Sequence, residues 1–494
     1  MVRFLLLNSH KWEPPSPPAA LDYVAEQLEH EGVTTDLVDV AFTTEDDLKA
    51  LLQATHYDGV CMTIRNLERT AFSEVLHFSL PATKSLFNLV KAYCQGPVVV
   101  GGNGFSILPE KILEYVGADY GIYGGGEASL PLLIRHILYG TGKKSEIPYL
   151  VYREGDMVRC NPPALFRKEL PVVHRGYVDY HMYYNPGHQN FCGFGVVETK
   201  RGCPYNCIYC VEPFIKGNRV RVKPPSSVAA EIDWFLRERI TYLFVADSEF
   251  NVDCEAAVRL VSYLKEHGYH QKIKWIAYVS PTNFTEELAA LFSQSGVLSL
   301  MIDFAHVNPT MLSNLGKTHT PQDIEQAMAL CREYSIPFRG SLMLGGPGET
   351  YGTIEEAIEF FKGWPCKVFM ILGIRVFPNT PLGKMVQKGN IPENPNLYGK
   401  VVQNDDLLEP VYYISHHLGE DVFGYCETLI GDSKQFYTVT SPFKLTKTMH
   451  GPFKGVRPEY ELSGFPRTQY ITRLPEGTVE PPIFEEEEDE AANQ

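Results

Sequence analysis

The first 140 residues alternate between short apolar runs and stretches with helical spacing. Apolar runs occupy Val2–Asn8, Thr35–Val40, Gly59–Ile64, Pro97–Gly102 and Tyr120–Tyr123. Between them, Ala19–His30 and Glu45–Thr55 repeat apolar residues every three or four positions, the period of a helix with one buried face. Near-continuous apolar strands separated by helices predict a doubly wound parallel sheet covered on both faces. Open sheets of that kind bind ligands at the carboxyl ends of their strands. Two glycine-rich loops, GGNGFS (Gly101–Ser106) and YGGGEAS (Tyr123–Ser129), follow the fourth and fifth runs and fall at that edge. Glycine there permits close backbone approach to a flat or phosphorylated ligand, or simply a tight turn.

The pattern then breaks. Pro148–Arg153 and Met157–Cys160 predict a hairpin around Glu154-Gly155-Asp156, and Tyr177–Gly195 is irregular and rich in Tyr, Pro and Gly. From Val196 the alternation resumes, with strands expected at Leu243–Ala246, Trp275–Tyr278, Leu298–Ile302, Phe338–Leu344 and Val368–Val376. Six or so such units predict a full or partial (β/α)6 barrel. The expected fold class is α/β. A first domain spans 1–140, a connector 141–195, a barrel 196–382 and an irregular α/β capping region 383–494.

Charge and composition narrow the classes. Net charge is −16, which argues against a nucleic-acid surface. Part of it is the run EEEEDE (Glu485–Glu490), read as a solvated, disordered tail. No apolar run reaches the roughly 18–20 residues that a membrane span needs, and the opening MVRFLLLNSH is too short for a signal-peptide core. Eleven cysteines, an odd number scattered over 494 residues, are no secreted disulfide framework and place the chain in a reducing cytoplasm.

Three of those cysteines lie together. KRGCPYNCIYC holds Cys203, Cys207 and Cys210 in the spacing C-x3-C-x2-C. A closed structural zinc site takes four ligands, and soft thiolates select zinc or iron–sulfur clusters. A four-iron cluster held by three thiolates keeps one iron open. A fourth ligand from Cys192, or a zinc knuckle, stays open on spacing alone.

The context resembles the radical SAM superfamily. TKRGCPYNCIYC carries an aromatic, Tyr209, just before its last cysteine. It is followed in order by VADSEFN with Asp247, by MIDFAHVNPTMLSNLGKTHT with Asp303, by SLMLGGPGET with Gly345, Gly346 and Pro347, and by GIRVFPNTPL with Arg375. The resemblance implies a [4Fe–4S] cluster on the three cysteines, S-adenosylmethionine (SAM) on the open iron, and SAM contacts from these segments. Two departures stand out. Asp303-Phe304-Ala305 replaces the family's ESG-like triplet, and Asn379 replaces a glycine in the last motif, where Asn also tolerates a left-handed turn.

A parallel α/β domain placed before such a barrel resembles the cobalamin-binding radical SAM enzymes. That resemblance implies cobalamin along Gly101, Gly102, Asn103 and Gly104 and along Gly124, Gly125, Gly126 and Glu127. Arg65 and Asn66, in TIRNLERT, would face the lower side of the cobalt. The D-x-H-x-x-G signature of histidine ligation is absent. The implied reaction is methylation of an unactivated carbon of a small molecule or peptide, with flavodoxin or ferredoxin as electron donor. Cyclisation, ring contraction or rearrangement without net methyl transfer stays open, as do methylation without an adenosyl radical and a non-catalytic iron–sulfur protein. No catalytic side chain is singled out. The aromatic stretches Tyr177–Tyr184 and Tyr412–His417 read as pocket lining or as packing.

Overall fold

The computed structural model describes residues 2–11, 15–68, 78–163, 170, 173, 175–183, 193–389, 396–401 and 403–438. Cys192, Tyr184 and the acidic tail lie outside the described residues.

The first sheet contains β1 (Arg3–Asn8), β2 (Thr34–Asp39), β3 (Gly59–Thr63), β4 (Val98–Gly101), β5 (Tyr120–Ile122), β6 (Leu150–Glu154) and β7 (Met157–Cys160), in the order β2-β1-β3-β4-β5-β6-β7. Its first five strands are parallel. The side chains of β1 divide between two cores: Phe4 and Leu6 pack on one face, Leu5 and Leu7 on the other. All four are fully buried, which explains the unbroken apolar run. The hairpin assigned above to a connector is part of this sheet. It pairs antiparallel with β5, its register set by the turn at Gly155, where φ is +61°. Helices α1 (Ala20–His30), α2 (Glu45–Ala54), α3 (Leu80–Tyr93), α4 (Asn103–Ile107), α5 (Pro109–Val116) and α6 (Leu130–Tyr139) connect the strands. Strand order reverses between β1 and β3, so the sheet opens its ligand crevice at their carboxyl ends.

The second sheet begins with β8 (Gly195–Val197). A small pair, β9 (Lys200–Arg201) with β10 (Arg221–Val222), encloses the cysteine loop and the short helix α7 (Glu212–Ile215). Then come β11 (Tyr242–Val245), β12 (Lys274–Val279), β13 (Val297–Ala305), β14 (Phe338–Leu344) and β15 (Lys367–Leu372), with α8 (Pro225–Arg237) leading the helices outside them. A three-stranded antiparallel sheet of β16 (Ile374–Arg375), β17 (Asn396–Gly399) and β18 (Val411–Ile414) follows, and β19 (Phe436–Thr438) rejoins the large sheet. Among the described residues the large sheet runs β19-β15-β14-β13-β12-β11-β8, all parallel, with its end strands not paired to each other. It is therefore an open arc, a partial barrel.

The strand expected at Val368–Val376 is two strands. Gly373 turns the chain at φ +85°, and Ile374–Arg375 leaves the arc to pair with Tyr412 and Tyr413 of β18. Tyr412 and Tyr413 are buried and pack within the fold, whereas His416 and His417 at the end of YYISHH are not buried.

The two halves meet through buried charge. Arg175 donates to Asp22 of α1 at 3.1 Å and to Glu231 of α8 at 2.6 Å, and it also donates to the Tyr180 hydroxyl. All three charged side chains are at most 1% exposed. Tyr180 belongs to the Tyr177–Tyr184 stretch, and its hydroxyl donates in turn to Asp22.

Candidate functional site

The cysteine loop is held by the segments whose motifs accompany it. Gly202, at φ +102°, precedes Cys203, and a Cβ there would lie 2.2 Å from the Arg219 carbonyl. The Cys203 amide donates to the Gly217 carbonyl at 3.0 Å, and the Cys210 amide to the Cys207 carbonyl at 3.1 Å. Between the cysteines, the Ile208 amide donates to Leu315, in the Leu-Gly-Lys segment, while the Ile208 carbonyl accepts from Leu382, at the end of the last motif. Gly316 lies against the Asn206 carbonyl, too close for any Cβ. Two stretches far apart in sequence, around 315 and 382, thus converge on one loop beside the nearby turn at 217–219.

The three thiols share one electrostatic neighbourhood. Burial chiefly pushes the Cys203 thiol up to about 11 and the Cys210 thiol up to about 12, with Cys207 contributing to the first and Cys207 and Cys203 to the second. Burial also raises Cys207, against the pull of Lys317. Thiols in such surroundings ionise only beside strong positive charge, which bound iron supplies. Among the described residues, no three His, Cys, Asp or Glu side chains are grouped as ligands of a single metal ion.

Asp303, at the inner face of β13, is ion-paired with Lys317, whose ammonium lies 5.3 Å from the centre of the Tyr209 ring. This trio flanks Cys207. Gly345, Gly346 and Pro347 follow β14 beside it, with Gly346 against Leu315 and the Pro347 carbonyl accepting from Asn314. Asp247 does something different from the expected cofactor contact. It is buried, and its oxygens accept from the Thr199 and Lys200 amides at 2.8 and 3.1 Å and from the Lys200 ammonium. It anchors the chain leading into the cysteines. Arg375 is likewise engaged within the protein, donating to Glu68 at 2.9 Å and to main-chain carbonyls around Val411. The guanidinium is 2% exposed, so the Arg375 side chain ties the loop after β3 to the last motif.

Two charged groups were not singled out by sequence. Glu249, two residues after Asp247, has a carboxylate oxygen that is buried without a hydrogen-bond partner. Burial, then Asp303, raises its pKa well above the usual carboxylate range, and its charge is felt by Cys203 and Cys207. Arg201, two residues before Cys203, forks to Glu198 at 2.9 and 2.7 Å and reaches Glu127 at 2.7 Å. The acidic DSE triplet and the KRGC run were the available signals.

A cavity of about 300 Å³ lies between the two sheets. Asn8, Thr63, Gly101, Gly102 and Asn103 line it from the ends of β1, β3 and β4, and Gly124 to Glu127 from the end of β5. Val196, Glu198, Arg201 and Ala246 face it from the barrel. Arg65 is part of the lining; Asn66 and Gly104 are not. The Asn66 carbonyl accepts from Ser79, and Gly104 is packed on the Ile64 and Arg65 backbone. Gly102 sits at φ +104°, its would-be Cβ 2.7 Å from the Ile64 carbonyl. Five glycines at one strand edge offer main-chain polar groups and flat surface, while Cys61, Met62, Val99 and Val100 supply an apolar floor. That combination fits a wide planar ligand with a polar rim.

Residues 9–134 match the B12 binding domain family, and residues 197–361 match the Radical SAM superfamily. The tryptophan 2-C-methyltransferase of Streptomyces laurentii is 26% identical over 446 residues, covering 77% of this chain and 73% of that protein. An uncharacterized methyltransferase of Pyrococcus horikoshii is 26% identical over 330 residues, covering 66% and 69%. Among solved structures, the radical S-adenosylmethionine methyltransferase TsrM of Kitasatospora setae, with tryptophan substrate and the SAM analogue aza-SAM bound, superposes with a TM-score of 0.80 at 26% identity, covering 88% of this chain and 91% of that one. The cobalamin-dependent radical enzyme OxsB shares the fold, at a TM-score of 0.71 and 17% identity over 94% of this chain and 70% of that one.

Proposed function

We propose, from the premise that this chain belongs to the cobalamin-dependent radical SAM methyltransferases, that it methylates a carbon of a small molecule at the junction of its two sheets. The carrying observation is the single inter-sheet cavity edge on which the glycine loops and the Arg201 end of the cysteine loop converge.

Cys203, Cys207 and Cys210 are assigned to the [4Fe–4S] cluster. Tyr209, Asp303, Lys317 and Gly345–Pro347 are assigned to SAM beside it. Gly101–Asn103, Gly124–Glu127 and Arg65 are assigned to cobalamin. When bound, these groups supply the methyl carbon, the redox change and the activation of the carbon–hydrogen bond. The protein supplies placement. Lys317 neutralises Asp303 next to Cys207, keeping the local field compatible with a cationic sulfonium. Arg201 links the glycine loop to the cysteine loop and so sets the spacing between the two cofactor sites. The apolar floor and the buried ion pairs keep water out. A flavodoxin or ferredoxin is assigned as electron donor. The net charge of −16 supports a substrate other than nucleic acid, and the scattered, odd number of cysteines supports a cytoplasmic setting; no helix among the described residues is long and apolar enough to cross a membrane.

A second reading is favoured by Glu249. A buried carboxylate oxygen without a partner, beside two of the three thiols, is a hard donor poised for an open iron. Were Glu249 to hold that iron, the cluster would support methyl transfer without reductive cleavage of SAM.

The test is anaerobic reconstitution with iron, sulfide and hydroxocobalamin, followed by methyl-labelled SAM and tryptophan as the first probe. About four irons and one cobalt per chain, with label appearing in a small-molecule product, support the proposal. Zinc in place of iron, or iron without cobalt, sinks it. Formation of 5′-deoxyadenosine with dithionite separates the readings: the first requires it, the second forbids it in the wild type and permits it in Glu249→Ala.

A further inference from the structure

Helix α1 presents two faces to the protein. Leu21, Ala25 and Leu28 are buried in the apolar core. Ala20, Tyr23, Val24 and Gln27, at helical spacings of three and four, form a second stripe that borders the cavity between the sheets. Two of its members, Tyr23 and Gln27, are polar and half-buried. The Tyr23 hydroxyl accepts from the Lys223 ammonium at 2.8 Å, and its own proton has no acceptor among the described residues. Burial, then Glu198 and Glu231, raises the Tyr23 pKa, so the hydroxyl remains a donor. The Gln27 amide makes no hydrogen bond with the described residues.

Asn8 borders the same cavity from the end of β1. It continues the alternation of Phe4 and Leu6, which places its side chain on the α1 face of the sheet. Across the register it stands opposite Asp39 and Thr63, where the strand order reverses. Asn8 is 2% exposed. Its amide nitrogen donates to Asp39 at 2.9 Å, which fixes the orientation of the amide, because a carboxylate oxygen can face only the donor end. The Asn8 amide oxygen is buried and has no hydrogen-bond partner. Asp39 offers it nothing, being itself the acceptor for the Tyr183 hydroxyl at 2.7 Å and the Ala41 amide at 2.8 Å. A buried acceptor without a donor is costly, and at a cavity wall an N–H of the ligand removes that cost.

We propose that Asn8, Tyr23 and Gln27 form the rim that reads the side-chain amides of the corrin, so that the site takes an amidated corrinoid and discriminates against one whose arms are carboxylates. The inference rests on the cobalamin assignment above and names the class of corrinoid that site accepts. An acceptor at Asn8 and a donor at Tyr23 call for both an N–H and a carbonyl on the ligand rim, and a primary amide carries both. Gln27, one turn beyond Tyr23, serves either end. A carboxylate carries acceptors only. It satisfies Tyr23 but leaves the Asn8 oxygen unmet, with Asp39 directly behind it. Sites built to bond an N–H or O–H reject analogues that lack it more strongly than apolar walls reject a change of size.

The test uses the full chain with its reconstituted cluster, prepared without corrinoid. Equilibrium dialysis, read from the corrin absorption bands, gives affinities for three probes. Hydroxocobalamin is the first, cobinamide lacks the nucleotide tail but keeps the amides, and cobyrinic acid carries carboxylates in their place. Salt near 1 M shortens the reach of the chain's net charge to about 3 Å, so that the comparison reports contacts. The wild type should bind cobinamide at least about 10-fold more tightly than cobyrinic acid, as expected for a buried acceptor left unmet. Asn8→Leu should weaken cobinamide about 10-fold and leave cobyrinic acid unchanged. Tyr23→Phe and Gln27→Met lie outside the apolar core and carry the test if Asn8→Leu does not fold; each should weaken cobinamide and hydroxocobalamin about 3- to 10-fold. Iron content of every sample reports folding. Equal wild-type affinity for cobinamide and cobyrinic acid, or unchanged cobinamide binding in a folded N8L, Y23F or Q27M, overturns the inference while sparing the cobalamin assignment. A wild type that holds its iron and binds none of the three corrinoids overturns both.

Discussion

Arg201 is the most informative residue to disturb, because its two carboxylate partners belong to different halves of the molecule. Glu198 precedes the cysteine loop, and Glu127 ends the glycine loop of the first sheet. Burial alone would raise the Glu198 pKa; Arg201, with help from Lys223 and Lys216, overrides it and holds the group down at about 2. The unfolded value is near 4.5, so the folded protein binds its proton later than the unfolded chain does. The sign follows: the contribution is fully present above pH 4.5 and is lost as pH falls toward 2. A depression from 4.5 to about 2 is worth about 3 kcal/mol, at 1.36 kcal/mol per unit. With the Glu198 side chain 16% exposed, little of that is screened away.

Arg201→Met removes the override and leaves two carboxylates without their counter-ion. Stability at pH 7 should fall by about 3 kcal/mol, and the acid sensitivity should change shape. Between pH 5 and pH 3 the wild type should lose about 2 kcal/mol through this group. R201M should lose none through it, because burial now favours the protonated carboxyl. Urea unfolding of the cofactor-free protein, followed by tryptophan fluorescence at half-unit pH steps, reads both quantities. Glu198→Gln should reproduce the pH 7 loss in part, and the double variant should be no worse than R201M. If R201M and the wild type run parallel from pH 5 to pH 3, the Arg201–Glu198 pair does not carry the energy assigned to it.

Other perturbations have equally definite outcomes. Alanine at Cys203, Cys207 or Cys210 should remove the cluster, seen as loss of iron and of broad visible absorption, and with it all SAM consumption; a variant that keeps its iron contradicts the assignment. Arg175→Met leaves Asp22 buried without a counter-ion, while Glu231 keeps Lys223 at 2.5 Å, and should cost about 3–5 kcal/mol. Calorimetry should then show the two halves melting separately, whereas a single unshifted transition would show that the halves are held by other contacts. Gly102→Ala places a Cβ 2.7 Å from the Ile64 carbonyl at φ +104° and should abolish hydroxocobalamin uptake while leaving iron content unchanged. Aerobic purification should degrade the cluster, since an iron with an open site is exposed to oxidant; full iron content after prolonged air exposure would contradict that.

Much of the fold was legible because its strands are buried on both faces. A run such as Phe4–Leu7 has no amphipathic ambiguity, and its helical neighbours repeat at a different period. The cysteine loop was legible for another reason. Gly202 and Gly316, at φ +102° and +72°, satisfy backbone geometry that few other residues allow, and both stand beside the cysteines in recognisable motifs. What sequence did not reveal depended on three-dimensional pairing. Nothing local marks Arg375 as the partner of Glu68, 307 residues away, rather than a cofactor contact. Nor does the position of Asp247 after a strand show that its oxygens are spent on Thr199 and Lys200. The hairpin at Leu150–Cys160 was correctly patterned but misassigned, since antiparallel addition to a parallel sheet depends on which edge is free.

The contacts between the two halves are charged, and that has a mechanistic meaning. Buried ion pairs are close to neutral in stability against apolar replacements of equal volume, so adhesion alone does not account for them. Apolar surfaces slide at small cost; a guanidinium fork does not, because its hydrogen bonds fix distance and angle together. Three such forks join the two halves, and two of them, Arg201 and Arg175, line the cavity. Arg201 reaches the glycine loop, Arg175 the first helix, and Arg375 the loop after β3 through Glu68. Arg201 and Arg375 hold loops that carry residues assigned to cobalamin, and the half to which both arginines belong carries the cysteines. An acceptor carbon must sit between two cofactors at fixed separation, and a misplacement of 1 Å is costly to such chemistry. The arginine forks supply that rigidity where the barrel is open and no closed ring of strands can.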